Sequence, residues 1–134
     1  MSSEKITLVR DIMVTDVATI SPLASLREAL VLMRKRGVKS LPVEPKAPHD
    51  AWGIITYRNL LSTILAEDGD IDLINVYDVY SKPAVAVSPE LSLQPVAAMM
   101  INHGFRRLLV LENNQLQGII SMSDIVDSVV SKVE

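Results

Sequence analysis

The chain has 134 residues, a formal net charge of -3, 49% apolar and 4% aromatic residues, and no cysteine. Disorder is excluded by the apolar content, disulfides and thiolate metal sites by the missing cysteines, and the acidic balance gives no electrostatic case for nucleic acid as a main partner. The length suits one ordinary domain, or two small halves, built on an aliphatic core.

Met1 to Lys5 lacks the charged-then-apolar build of a signal peptide. No apolar run approaches the ~20 residues that span a bilayer, so a soluble, cytoplasmic protein is the expectation. An apolar lead-in, Leu8 to Met13, precedes an expected strand, Val17 to Ile20, which Ser21-Pro22 ends. An amphipathic helix follows, with Leu26, Ala29, Leu30 and Met33 at spacing i, i+3, i+4, i+7. Ser25 and Glu28 have the form of a capping box, and Gly37 stands where a left-handed helix stop belongs. Strands are expected over Ser40 to Glu44 and Trp52 to Thr56, with a long loop, Pro45 to Trp52, between them. Gly53-Ile54-Ile55-Thr56-Tyr57-Arg58-Asn59 reads as strand, turn and helix start, and Leu60, Leu61, Ile64 and Leu65 carry the helical pattern onward. Glu67-Asp68-Gly69-Asp70 is a polar turn.

The same order then returns. Ile74 to Tyr80 is a lead-in and Ala84 to Val87 a strand; Leu93, Val96, Ala97 and Met100 mark a helix. Ser92 is expected to cap that helix, with Pro95 inside its first turn, and Gly104 to stop it. Strands over Arg107 to Leu111 and Leu116 to Ser121 are joined by Asn113-Asn114, a hairpin turn. Gly118-Ile119-Ile120-Ser121-Met122-Ser123-Asp124 repeats the strand-turn-helix stretch, followed by Ile125, Val126, Val129 and Val130. An offset of 67 sets Asp78 on Asp11, Pro89 on Pro22 and Gly104 on Gly37; it falls to 65 at Gly118 on Gly53. The chain is therefore a duplication, with one repeat over 8–66, a linker over 67–74 and a second repeat over 75–132. Each repeat is β-α-β-β-α, an α/β (α+β) class. Leu108 to Leu111 is apolar on both faces, so each sheet is expected to be covered twice. Two repeats related by a pseudo-twofold axis and packed sheet to sheet are expected to share one core, since ~60 residues alone are marginal.

These motifs resemble the cystathionine β-synthase (CBS) domain, and the tandem arrangement resembles a Bateman module, over residues 8–132. Gly37-Val38-Lys39-Ser40-Leu41-Pro42 matches the family's Gly-apolar-x-small-x-Pro in full. Gly104-Phe105-Arg106-Arg107-Leu108-Leu109 keeps the glycine and apolar positions but lacks the small residue and the proline. Gly-apolar-apolar-Thr/Ser-x-x-Asp/Asn occurs twice, ending in Asn59 and Asp124.

The resemblance implies adenosine-containing ligands in two clefts, each completed by one repeat's hydroxyl-x-x-Asp element and the other's second strand. One site would combine Ile119, Ser121, Ser123 and Asp124 with Val38, Lys39 and Ser40. The other would combine Ile54, Thr56, Arg58 and Asn59 with Phe105, Arg106, Arg107 and Lys82. The chemistry suits such a ligand. A carboxylate accepts from a ribose diol, a hydroxyl and free amides at a helix start favour a phosphate, and apolar Val38 and Ile119 would sandwich a purine. Arginine holds phosphate oxygens in bidentate fashion. Asp124 is the better ribose anchor and the Asn59 site has the richer cation supply, so unequal occupancy is expected.

Each feature also has a structural reading. Ser121-x-x-Asp124 and Thr56-x-x-Asn59 have the form of ordinary helix caps. Arg106 and Arg107 are adjacent on a strand and point to opposite faces. Lys39 reads as a strand-edge charge, and Arg34, Lys35 and Arg36 as a solvated helix end. His49 and His103 have no second ligand at metal spacing; Met33, Met99 and Met100 sit at core spacing; Tyr77 and Tyr80 suit an interface or the lead-in's packing equally.

The sequence thus points to a non-catalytic regulatory module sensing AMP, ADP, ATP or S-adenosylmethionine. No metal or catalytic cofactor is expected, and no membrane. A homodimer is expected through the helices, including Ile125, Val126, Val129 and Val130, with output to a separate effector protein. The alternative is a purely structural dimerisation module with empty clefts. An enzyme would need a nucleophile-base pair or metal constellation, and none of those motifs is present. Nucleic-acid binding would want a basic stripe.

Overall fold

The computed structural model describes residues 6–134; Met1 to Lys5, the segment without a signal-peptide pattern, lies outside the described residues. The element order is α1 (Val9–Ile12), α2 (Leu26–Arg36), β1 (Ser40–Val43), β2 (Gly53–Thr56), α3 (Tyr57–Glu67), a single 3-10 turn (Val76–Asp78), β3 (Ala86–Val87), α4 (Leu93–His103), β4 (Arg107–Glu112), β5 (Gln115–Ser121) and α5 (Met122–Val133). These elements form two compact units: Ala18–Ala84, and the segment ending at Val17 together with Val85–Glu134.

The units differ from the sequence repeats in one respect. The lead-ins are exchanged. In the first unit Val76 N donates to Ala24 O at 2.8 Å and Tyr77 N to Pro22 O at 3.0 Å; in the second, Val9 N donates to Leu91 O at 2.8 Å and Arg10 N to Pro89 O at 3.0 Å. These are the same four positions, one repeat later. The carbonyls of Ile74 and Ile71 also accept from Leu26 and Arg27 N, meeting two of the donors that α2 leaves unpaired at its start. Asp11 and Asp78 tie off each lead-in by accepting from Leu8 N (2.8 Å) and Asn75 N (3.0 Å).

In the first unit β1 and β2 are antiparallel, with Ser40 opposite Thr56 and Val43 opposite Gly53. The strand expected over Val17 to Ile20 is reduced to one parallel bridge, Ile20 with Val43. Only Ile20 N and O reach the neighbouring backbone, at Pro42 O and Glu44 N. In the second unit β3, β4 and β5 form a sheet, β3 parallel to β4 and β4 antiparallel to β5. The expected strand Ala84 to Val87 shortens to Ala86–Val87. Asn113 and Asn114 both take positive φ, 52° and 61°, the geometry of a two-residue hairpin loop.

Each unit closes its own core. Ile20, Leu26, Ala29, Met33, Leu41, Val43, Ile55, Leu60 and Val76 cluster in the first. Val9, Val87, Val96, Met100, Leu108, Val110, Ile120 and Ile125 cluster in the second. The expected single shared core is therefore replaced by two clusters. The exchanged lead-ins explain it, since Val76 and Val9 each complete the core of the unit they join and raise its apolar content above that of a bare repeat.

Glycine opens the duplicated motif for a packing reason. A Cβ on Gly118 would stand 2.5 Å from Val14 O, and one on Gly53 would overlap the Tyr80 ring and lie 2.9 Å from Ser81 O. Both glycines make room for the lead-in's end, which bridges to the next residue: Val14 with Ile119 and Ser81 with Ile54.

Ser92 occupies the N-cap of α4 but its side chain makes no capping bond. A capping hydroxyl bonds the N–H two or three residues into the helix, and the third residue here is Pro95, which has none.

Candidate functional site

Both hydroxyl-x-x-Asp/Asn elements fold as reciprocal caps. Ser121 N donates to Asp124 Oδ2 at 2.8 Å and Asp124 N to Ser121 Oγ at 3.1 Å. Thr56 N donates to Asn59 Oδ1 at 2.9 Å and Asn59 N to Thr56 Oγ1 at 3.2 Å. The Thr56 hydroxyl also donates to Asn59 Oδ1, at 2.9 Å. The capping reading thus holds at both places. It still leaves chemistry over, because Asp124 Oδ1 accepts no hydrogen bond among the described residues.

Each unit brings its own second strand to its own cap. Ser40, buried at 6% exposure, pairs in register with Thr56, and Arg107, half-buried, with Ser121. Lys39 O accepts from Tyr57 N at 3.0 Å and Arg106 O from Met122 N at 2.9 Å, so both residues anchor a helix start through their backbone. The Lys39 and Arg106 side chains are exposed. Val38 is half-buried against the first core. Phe105 packs against the second core, its ring stacked 5.8 Å from that of His103. Ile54 and Ile119 are half-buried in β2 and β5, and Ser123 is exposed on the first turn of α5.

Lys82 departs from its expected free role beside a ligand. Its ammonium lies 2.6 Å from Asp50, in the loop peculiar to the first repeat. The Lys82 ammonium, with backbone N–H groups of Lys46 and Ala51, holds the Asp50 carboxyl down to about 2, and Asp50 in turn raises Lys82 above the usual lysine range.

Arg58 and Asn59 line a cleft of about 440 Å³ in the first unit, together with Ser62, Thr63, Asp78 and Ser81. Sequence reading missed the last four. Ser62 and Thr63 lie one helical turn beyond Arg58 and Asn59 on α3, a spacing that would have flagged them. Asp78 and Ser81 arrive with the exchanged lead-in, for which the sequence carries no local signal. Thr63 Oγ1 donates to Asn59 O at 3.1 Å. In the second unit a groove of about 740 Å³ runs between Thr7, Leu93, Ala97, Ile125, Val129 and Lys132, and Lys132 Nζ donates across it to Thr7 Oγ1 at 2.9 Å. Among the described residues no group of three or more His, Asp or Glu is placed to hold a metal ion, and no helix is long and apolar enough to cross a membrane.

A duplicated α+β unit with a capped helix start after each β-hairpin defines the class of the protein. The CBS domain matches twice, over residues 9–66 and 76–131, and the chain belongs to that family as a tandem pair. It is 34% identical over 119 residues to the CBS domain-containing protein YhcV of Bacillus subtilis (strain 168), covering 87% of this chain and 81% of that protein. Among solved structures it resembles the hexameric CBS-CP12 protein from bloom-forming cyanobacteria, with a TM-score of 0.86 and 32% identity over 97% of this chain and 76% of that one. It also resembles the CBS domain pair of MJ0100, solved in complex with 5-methylthioadenosine and S-adenosyl-L-methionine. That match has a TM-score of 0.81 and 22% identity over 96% and 99% of the two chains, a likeness of fold.

Proposed function

We propose that the chain is a non-catalytic regulatory module that binds an adenosine-containing ligand and passes the binding event to a separate partner protein. The observation that carries this reading is the Ser121–Asp124 cap. It spends one carboxylate oxygen on the helix start and keeps Asp124 Oδ1 as an acceptor for a ribose diol. An adenosyl ligand bound to a CBS pair of the same fold supports the ligand class. Ligand binding would stabilise one packing of the repeats and so bias a partner surface.

A homodimer through the helices belongs to the same reading. Val126, Val129, Val130 and Val133 on α5 are 52%, 55%, 42% and 78% exposed, an apolar stripe that water disfavours. This stripe also supports the second reading, a dimerisation module without a ligand.

Thermal melting of the purified protein with AMP, ADP, ATP and S-adenosylmethionine, repeated on Asp124→Ala, separates the two. A ligand that binds only the native state adds about 2.7 kcal/mol at 100 times its dissociation constant, several degrees for this size. A shift with one compound that Asp124→Ala abolishes upholds the sensor. No shift with any of them, in a folded dimer, leaves the dimerisation module.

A further inference from the structure

The two caps look alike in backbone but present opposite chemistry. An N–H can be accepted only by oxygen, so the bond from Thr56 N fixes the Asn59 amide with Oδ1 toward the cap. Thr56 Oγ1 adds a second bond to the same oxygen. Both hydrogens of Asn59 Nδ2 are then left over, and they donate to nothing among the described residues. Where repeat two offers an acceptor, repeat one offers a donor.

The surroundings extend this contrast. Arg58, exposed beside Asn59, makes no hydrogen bond or ion pair among the described residues, and both line the 440 Å³ cleft. From the other segment that walls the cleft comes Asp78, whose Oδ2 accepts from Asn75 N. Lys82, the cation nearest in sequence to this wall, is already held by Asp50. The cleft therefore offers one guanidinium and one amide donor set against one carboxylate. A triphosphate would meet the Asp78 carboxylate with too little positive charge to offset it. A group with an anionic oxygen and a cationic donor close together satisfies both sides.

We infer that the first repeat's cleft takes the α-amino-carboxylate end of an adenosyl ligand, with Arg58 and Asn59 Nδ2 on the carboxylate and Asp78 on the ammonium. Asn59 is the residue that decides this specificity. The inference rests on the adenosyl-ligand reading above and names the ligand class for one of its two clefts.

Calorimetric titration with S-adenosylmethionine, methylthioadenosine and ATP tests it on the wild type, Asn59→Asp and Arg58→Ala. Methylthioadenosine is the same adenosyl thioether without the amino-carboxylate. Asp at position 59 keeps the cap, as Asp124 does in repeat two, and Arg58 is exposed, so both variants should fold. The wild type should bind S-adenosylmethionine at least about tenfold more tightly than methylthioadenosine, the worth of one charge-assisted hydrogen bond. Either variant should erase that preference and leave methylthioadenosine binding in place. Equal binding of the two compounds by the wild type, a preference that survives in both variants, or tighter binding of ATP would overturn the inference and leave the adenosyl-ligand reading standing. Failure of all three compounds to bind the wild type sinks both.

Discussion

Lys82 and Asp50 meet at 2.6 Å, and that contact fastens the loop unique to the first repeat to the segment leading into the second. The loop is held at other points as well. Asp50 Oδ2 accepts from Lys46 N at 3.0 Å, Asp50 N donates to Ala47 O at 3.0 Å, and the Lys46 ammonium stands 5.3 Å from the centre of the Tyr77 ring. Eight residues that the duplication does not explain are thus ordered by one aspartate. The two side chains are 28% and 24% exposed, against more than half for Arg10–Glu90 and Arg27–Asp72, so this pair is the least screened of the three.

The pair gives stability a defined pH dependence. An aspartate titrates at about 3.9 in an unfolded chain, and Asp50 is held down to about 2 in the folded one. Its contribution is present above the unfolded value and is lost as pH falls through about 2. Lys82 is raised, so its contribution is present below the ordinary lysine value and is lost as pH rises through the raised one. Asp50→Asn should therefore melt below the wild type at neutral pH, with the gap narrowing as pH drops below about 4. A gap that stays constant down to pH about 2 would show that the ionised carboxylate contributes nothing.

Gly118 and Gly37 should fail for different reasons. Alanine at 118 pushes on a backbone carbonyl, Val14 O at 2.5 Å, which cannot turn aside as a side chain can. Overpacking of this kind costs about 1–3 kcal/mol. Gly37 has open space around it and φ +66°, so alanine there meets only left-handed strain, about 1 kcal/mol. Urea denaturation gives the two costs. Hydrogen exchange at Val14 N, which donates to Ile119 O at 2.8 Å, should quicken well beyond the global loss in Gly118→Ala alone. Equal protection in both variants would contradict the steric account.

Separate cores imply independent responses. Ile55 and Ile120 hold matching places in the two repeats, both fully buried, each in a different unit. Ile55→Val and Ile120→Val should each cost about 0.5–1.5 kcal/mol. The double variant should lose their sum to within about 0.5 kcal/mol. A larger departure, measured in urea, would mean that the two clusters repack as one.

Local pattern carried most of the fold and the less subtle half of the site. Helix spacing, the Gly37 and Gly104 stops, the Asn113-Asn114 turn and both caps follow from residue type within a few positions, and each is where the sequence placed it. The exchange of lead-ins was not legible. It depends on which distant carbonyl a backbone N–H meets, and Val9 and Val76 read alike whichever unit they join. Asp78 and Ser81 were missed for that reason, since they reach the Arg58–Asn59 cleft only through the exchange. Lys82 was read as a free cation because Asp50 lies 32 residues away, in a loop with no periodic signal. The direction of the Asn59 amide needed the bond from Thr56 N, although a capping box with Asn in its third place already demands it.

The caps supply the sharpest comparison between residue type and actual bond. Ser121 and Ser92 both stand at the N-cap of a helix at least 11 residues long, both half-buried, and propensity alone rates them equal. Ser121 Oγ accepts from Asp124 N at 3.1 Å, whereas Pro95 leaves Ser92 without the corresponding donor. Ser121→Ala should cost about 1 kcal/mol, and Ser92→Ala only a few tenths, the ordinary range for a site with no special contact. Chemical denaturation of the two variants side by side decides it, and comparable losses would mean that Ser92 is held by something other than a cap. The same pair separates stability from recognition. Asp124→Asn keeps an oxygen to accept from Ser121 N, so it should preserve most of the cap while replacing the free carboxylate oxygen by a donor. If that variant melts within about 1 kcal/mol of the wild type yet loses its adenosyl ligand, Asp124 serves the ligand as well as the helix. If it keeps the ligand, the aspartate is a cap and the ribose is anchored elsewhere.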